Sequence, residues 1–439
     1  MSIGRIAFAS LVGTTIEWYD FFIYGTAAAL VFGPAFFPRF DPSTGTLAAF
    51  ATFAVGFIAR PIGGFLGGHF GDKLGRKIML VITLLLTGVA TFGVGLLPTY
   101  GQIGIAAPIL LVALRFVQGL GVGAEWGGAV LLAVEHSPES RRGFYGSLPQ
   151  LGVAVGLSLG TIVFALVGLL PGDAFLTWGW RVPFLLSLLL VVVGLIIRVR
   201  VDETPVFIKM KETKSVQRMP IVEAVKRYPL EIIQAIMISF VAILIFFIVT
   251  VFTLNYATGT LGLSRNIILA AIVVMTIGEL IALPAWAHLS DKIGRRPVFL
   301  IGAIFTAAFA FPFFWLIDTG NIVGIFVAFL AIWLVGHAAC YGVSAAFLME
   351  LFPPEIRYSG ASVSYQIASV VAGGLTPLIA AALLISSNGA IWSVACYLLA
   401  GALLSAAGAA FAKETRQRQP RDQVETVDLA DRSHSDTAK

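Results

Sequence analysis

Twelve apolar runs, each long enough to cross a lipid bilayer as a helix, follow one another along this chain with short polar connections between them. A hydrocarbon core about 30 Å thick needs about 20 helical residues. Within it, every backbone N–H and C=O must be satisfied inside its own segment. The runs are 9–33, 47–70, 78–97, 105–134, 145–169 and 182–199, then 229–253, 266–288, 298–317, 322–349, 361–385 and 390–412. Only 12% of the residues are charged and mean hydropathy is +0.91, whereas a soluble domain carries about 25% charged residues. A large soluble helical protein is excluded. Glycine is plentiful, and the small-xxx-small spacing of Gly152, Gly156 and Gly160 predicts close helix approach where lipid supplies no hydrophobic drive to association.

The chain is also written twice. Residues 71–77 read Gly-Asp-Lys-Leu-Gly-Arg-Lys, and residues 290–296 read Ser-Asp-Lys-Ile-Gly-Arg-Arg. About 60 residues after each copy comes Glu-x-x-Pro-x-x-x-Arg, as Glu135, Pro138 and Arg142, then as Glu350, Pro353 and Arg357. Two marks in one order at nearly one separation indicate a duplicated half. In a chain this apolar, they predict an all-α integral membrane protein: twelve transmembrane helices in two pseudo-symmetric six-helix bundles that face each other across a substrate path. The expected division is a first bundle at 1–201, a central linker at 202–228, a second bundle at 229–412 and a disordered tail at 413–439, which is polar and has no apolar period.

Basic residues set the orientation. With both termini in the cytoplasm, only Arg39, Arg181 and Arg265 fall outside, Arg60 and Arg115 lie within spans, and every other Lys and Arg is cytoplasmic. The net charge of +5 therefore reflects topology and contact with anionic head groups, not nucleic-acid binding. Arg5 followed by apolar sequence imitates a secretory leader, but Glu17 and Asp20 interrupt it, so the first span is expected to remain in place. Cys340 and Cys396 lie within spans and are expected as thiols.

A charge in the hydrocarbon costs roughly 3 kcal/mol or more, which makes intramembrane charges functional candidates. They are Glu17, Asp20, Arg60, Arg115, Glu125 and Glu279, with His337 as a titratable addition. Counting about 1.5 Å per residue from the helix ends places all of these charges except Arg115 near one depth, with Arg115 nearer the outside. Glu17 and Asp20 are three apart and face one side of their helix. Two carboxylates that close in a low dielectric cannot both be cheaply ionised, so one is expected to exchange a proton, with Arg60 as counter-ion. The plainer alternative is a fixed cluster that holds two helices together. Arg115 either binds an anionic substrate group or packs against carbonyls. Glu125 either couples or forms a structural bond.

Glu279 has no evident basic partner in its half and is expected to be neutral or to face the cavity. His337 either relays protons or packs. Trp18, Tyr24, Trp126, Tyr341 and Gln366 are candidate lining residues with Arg60, Arg115, Glu279 and His337. Asp72, Arg76, Glu135 and Arg142, with Asp291, Arg295, Glu350 and Arg357, lie too near the membrane edge to reach substrate. They suit ion pairs that close the cytoplasmic side.

Twelve spans, a central basic connection and the paired marks resemble the major facilitator superfamily, whose cytoplasmic motif is similar to residues 68–77. Arg115-x-x-Gln118-Gly119-x-Gly121 resembles the motif linked in that superfamily with proton coupling. Glu17-Trp18-Tyr19-Asp20-Phe21, Arg60-Pro61-Ile62-Gly63-Gly64, Gly123-Ala124-Glu125-Trp126-Gly127-Gly128-Ala129 and Trp178-Gly179-Trp180-Arg181 resemble the metabolite:proton symporter family over residues 13–412. That resemblance implies a proton-coupled carrier of osmolytes such as proline and betaine, or of oxoglutarate, citrate or shikimate, and the Glu-Trp-Gly-Gly-Ala run is nearest the shikimate branch. It implies a small-molecule substrate and a proton as partners, a bilayer as surroundings, a monomer, and no cofactor.

Drug antiport is disfavoured because that pattern expects Gly-Pro followed by paired glycines, and here Leu157 follows Gly156. An intramembrane enzyme would want a Ser-His-acid arrangement or a His/Cys metal spacing, and a nucleotide-driven pump would want a phosphate loop. The sequence has none of these.

Overall fold

The computed structural model describes residues 3–74, 76–123, 139–171, 173–199, 226–353 and 357–416. The described residues are helical, and eleven of their helices are long and apolar enough to cross a membrane. In the first half these are α1 (Leu11–Phe36), α2 (Pro42–Leu74), α4 (Ala106–Gly123), α5 (Arg142–Val167) and α6 (Val182–Val199). In the second half they are α7 (Pro229–Thr260), α8 (Arg265–Ile293), α9 (Arg295–Asp318), α10 (Ile322–Leu351), α11 (Gly360–Ser386) and α12 (Trp392–Phe411). The remaining span, α3 (Arg76–Leu96), carries the shorter apolar stretch Val81–Leu96.

The helix pairing repeats with a step of six. α1 packs on α5, α2 on α4 and α3 on α6; equivalently, α7 packs on α11, α8 on α10 and α9 on α12. The halves meet where α5 lies along α8 and α2 lies along α11, and that pair of contacts is again symmetric. The duplication seen in the motifs is therefore a duplication of packing.

Glycine makes the tightest of these contacts possible. A Cβ on Gly119 of α4 would stand 2.1 Å from the carbonyl oxygen of Gly56 on α2. One on Gly63 would stand 2.1 Å from that of Leu120, and one on Gly123 2.0 Å from that of Arg60. Backbone thus meets backbone along the whole α2–α4 seam, which fixes Arg60 and Arg115 relative to each other. The predicted glycine face of α5 is present too: Gly152 and Gly156 lie against the Leu11 and Thr15 carbonyls of α1.

Several helices at the interface between the halves are π-wound in part: Ala28–Phe32, Ile248–Phe252, Tyr256–Thr260, Ile332–His337 and Ser369–Gly374. Each wide turn re-aims the side chains that follow it, and such turns concentrate at functional positions. Hydropathy could not have indicated them.

Candidate functional site

The centre of the molecule is a knot of aromatic rings between the halves. Phe21, Phe53 and Phe57 of the first half meet Phe247 of α7 at centroid distances of 5.3–6.0 Å, and Phe22 stacks on Phe246 at 4.8 Å. Two guanidiniums are set into this knot. The Arg60 guanidinium lies 4.4 Å from the ring centres of Phe21 and Phe57 and 5.8 Å from Trp18. That of Arg115 lies 4.5 Å from Phe21, 4.2 Å from Tyr24 and 4.8 Å from Phe53. Both arginines therefore share Phe21. Arg115 lies nearer the end away from the basic motifs, in line with the sequence count, since Gly119 meets Gly56 whereas Gly123 meets Arg60 itself. Cation–π contacts lower the cost of burying these charges without using up their donors.

The donors are in fact under-used. Arg60 is 3% exposed and Arg115 1% exposed, yet Nε and Nη2 of each have no hydrogen-bond partner among the described residues. Buried polar groups are nearly always paired, so an orphaned one calls for an explanation. Arg115 Nη1 donates to Gln118 Oε1. Gln118 Nε2 in turn donates to Thr91 Oγ1 at 2.8 Å and to the Asp20 carbonyl at 3.2 Å. Gly56 leaves the space that the Arg115 guanidinium fills: a Cβ there would lie 2.5 Å from its Nε.

The two acids of α1, read from the sequence as one pair facing Arg60, divide their attention. Glu17 acts on the Arg60 charge, as do Tyr341 and Tyr365. Asp20, 1% exposed, lies beside Thr91, and its Oδ1 has no partner among the described residues. The two acids, three residues apart on α1, also act on each other. Tyr24 donates to Thr52 Oγ1 at 2.9 Å. Gln366 Nε2 reaches the Gly123 carbonyl from α11 at 3.4 Å.

Across the aromatic knot the second half presents a different group. Glu279 Oε1 lies 2.7 Å from His337 Nδ1, and Glu279 Oε2 accepts from Trp333 Nε1 at 2.6 Å. The sequence reading left Glu279 without a partner and His337 alone. α8 and α10 supply each to the other, a contact 58 residues apart in the chain that no local pattern announces. The His337 ring stacks between Trp333 at 4.2 Å and Tyr341 at 5.1 Å. Tyr341 hydrogen-bonds Tyr365 of α11, which brings this half up to Arg60.

The halves also join at both ends. At the end bearing the basic motifs, Asp291 accepts from the backbone N–H groups of Gly143 at 2.9 Å and Phe144 at 3.0 Å, where α5 begins. The same carboxylate pairs with Arg295 at 2.7 Å, and Arg295 reaches Glu350 at 3.3 Å. Residues just past α12, read from the sequence as the start of a disordered tail, dock on this cluster. Glu414 accepts from the N–H groups of Arg295 and Arg296 at 2.9 and 3.0 Å, and Thr415 donates to Glu350 at 2.6 Å. The carboxylate thereby satisfies orphan donors at the start of α9. Arg357 Nε donates to the Phe352 carbonyl at 3.3 Å.

At the opposite end, Arg265 Nη2 donates to the Gly168 carbonyl at 3.0 Å and Asn255 to that of Ala29 at 2.9 Å. Midway, Ser158 and Thr276 share a hydrogen bond of 2.6 Å. Among the described residues, the halves thus touch at both ends and in the middle. Glu125, Trp126 and Glu135 lie outside the described residues, as do the side chains of Asp72 and Arg76. Arg142 is described and begins α5.

Residues 6–237 match the family described as "Sugar (and other) transporter", and residues 235–432 match "Major Facilitator Superfamily". The chain is 44% identical over 420 residues to the shikimate transporter of Escherichia coli K12, covering 94% of this chain and 95% of that one. It is 36% identical to the proline/betaine transporter of the same strain, over 93% of this chain and 83% of the other. Among solved structures it resembles the E. coli xylose transporter XylE in a partially occluded inward-open conformation. The TM-score is 0.74 at 20% identity, over 95% of this chain and 99% of that one.

Proposed function

Because the chain belongs to the major facilitator superfamily, we propose that it is a secondary transporter that couples inward proton flow to uptake of a small hydroxylated carboxylate of the shikimate kind. The observation that carries this reading is the pair of buried arginines, whose four unpartnered nitrogens surround Phe21 beside Glu17 and Asp20. A carboxylate would accept from those donors, and the flat aromatic walls would cover the apolar face of a ring. Tyr341 and Gln366 would meet the hydroxyls from the other side.

The transport cycle follows from the two ends. The basic end faces the cytoplasm, as the distribution of Lys and Arg requires, so both termini are cytoplasmic and the membrane is the cell membrane. Asp291, Arg295 and Glu350, with the Gly143 and Phe144 amides, hold the inner side closed; Arg265 and Asn255 hold the outer side. Asp72, Arg76, Glu135, Arg142 and Arg357 are assigned to the inner latch with them, and Glu125 to coupling. Substrate and proton shift the population between openings without any nucleotide. The unit of transport is one chain.

Uptake of labelled shikimate, oxoglutarate, citrate, proline and betaine into vesicles with an imposed pH gradient tests this. Shikimate is expected to accumulate above its outside concentration and to leak back when an ionophore collapses the gradient. Equal accumulation without the gradient would remove proton coupling. Preference for betaine would favour the osmolyte reading, for which the aromatic walls could serve a quaternary ammonium. That reading is weaker because both oxygens of Glu279, the acid nearest those walls in the second half, are already engaged.

A further inference from the structure

The Glu279–His337 pair belongs neither to the arginine cluster nor to the latches, and its geometry is that of a finished unit. Both residues are 2% exposed. One carboxylate oxygen is held by the imidazole and the other by the Trp333 indole, while the imidazole lies flat between two rings. The π-wound turn of α10 ends at the histidine and aims it at α8. Both Glu279 oxygens and one imidazole nitrogen are thus engaged within the group. They keep one degree of freedom, the proton between them.

We propose that Glu279 and His337 form a proton-carrying site of the second half, separate from the acids of α1, so that one carboxylate crosses with two protons. This rests on the symporter reading. Among the described residues of the centre, Glu17, Asp20 and Glu279 can be negative and Arg60 and Arg115 positive. With His337 neutral, these five groups carry one excess negative charge when ionised, Glu125 lying outside the described residues, and a substrate carboxylate adds a second. Uncompensated charge is expensive in a low dielectric. Two protons cancel it: one on His337, giving an imidazolium against the Glu279 carboxylate, and one on an acid of α1. Both are taken from the outer solution and released to the cytoplasm when the inner side opens.

Few other charges bear on the pair. Tyr341 is on the same helix, Tyr365 is hydrogen-bonded to it from α11, and beyond them stand Glu17 and Arg60. α7 and α9, which pack on α10, have no charged residue between Glu231 and Arg265 or between Arg296 and Asp318. The other titratable residues of α8 stand toward its ends: Arg265 at one, and Asp291, Lys292 and His288, which lies against Phe144, at the other. The Tyr341–Tyr365 bond is thus the route by which the state of the pair reaches the arginines.

The full chain in vesicles, with labelled shikimate and the membrane voltage clamped at zero, measures the proton count as the slope of log shikimate accumulation at zero net flux against the imposed pH difference. That slope does not depend on how much activity a variant retains. The wild type is expected at two protons and His337→Gln at one, with Glu279→Gln also at one. A wild type at one, or both variants still at two, would overturn the assignment. Where His337→Gln folds but does not transport, shikimate binding in detergent reads the same number. The slope of log Kd against pH is then expected to fall by one relative to wild type, and an unchanged slope overturns the proposal. If the wild type shows no gradient-driven uptake of any of the five compounds, the symporter reading fails first, and this proposal with it.

Discussion

Arg60 stands twelve residues before Asp72, and Glu279 stands twelve before Asp291, so the duplicated halves place opposite charges at one equivalent position. Around Arg60 the first half leaves donors unsatisfied; around Glu279 the second half satisfies both oxygens. The neighbours diverge in the same sense. Gln118, seventeen residues before Glu135, holds Arg115, and Trp333, seventeen before Glu350, holds Glu279. A scaffold copied twice has come to hold an open cationic site on one side and a closed anionic one on the other. Open sites bind and closed sites store, so substitutions in the two should fail differently.

The largest expected effect is on stability in the closed site. Glu279→Ala strips the partner from His337 and Trp333, and removal of one member of a buried pair costs about 3–5 kcal/mol. A lowered thermal midpoint in detergent, recovered in part by Glu279→Gln, is the expected result. The open site should show the reverse. Arg60→Met and Arg115→Met each remove a cation that lacks full pairing, so the fold should hold while shikimate binding loses about 2–5 kcal/mol, roughly 30-fold to several thousand-fold. Binding isotherms and thermal melts on the same preparations separate the two behaviours. A melt that collapses for Arg115→Met while binding survives would show that the arginine packs and does not bind.

How much of this contrast the sequence discloses depends on the kind of interaction. The twelve spans are legible because hydrocarbon forces twenty apolar residues into every crossing. The seams are legible where glycines recur at helical spacing, as at Gly152 and Gly156. Arg60 and Arg115 stand out because a charge in an apolar run has no other excuse. What a charge pairs with is set by which helices the fold brings together. Glu279 and His337 lie on α8 and α10, and neither residue type nor spacing says so. Glu17 and Asp20 look like one pair on a helix drawn by itself and do act on each other, but that Glu17 bears on Arg60 and Asp20 lies beside Thr91 is set by α2 and α3. The docking of Glu414 on α9 is equally hidden, because a single carboxylate in a polar tail has no pattern to display.

A smaller effect tests how complete the closed site is. Trp333→Phe keeps an aromatic ring beside His337 and removes only the N–H that serves Glu279 Oε2. A buried acceptor left bare costs about 1–3 kcal/mol. The melting temperature should fall, by less than in Glu279→Ala, and the proton count should stay at two. A neutral outcome would mean that water or a neighbouring group already serves that oxygen.

The smallest effect concerns which acid of the open site moves its proton. Glu17 faces the Arg60 charge, which favours keeping it ionised, whereas Asp20 is sealed from solvent with Oδ1 unpartnered among the described residues. On that ground we propose Asp20 as the carrier. Asp20→Asn mimics the protonated form permanently, so shikimate should still bind and exchange across the membrane. The proton count should drop by one, which at a gradient of one pH unit is about tenfold less accumulation, about 1.4 kcal/mol. If Asp20→Asn still accumulates shikimate as steeply as wild type while Glu17→Gln does not, the roles of the two acids are exchanged, and Arg60 is then the cation whose partner changes during transport.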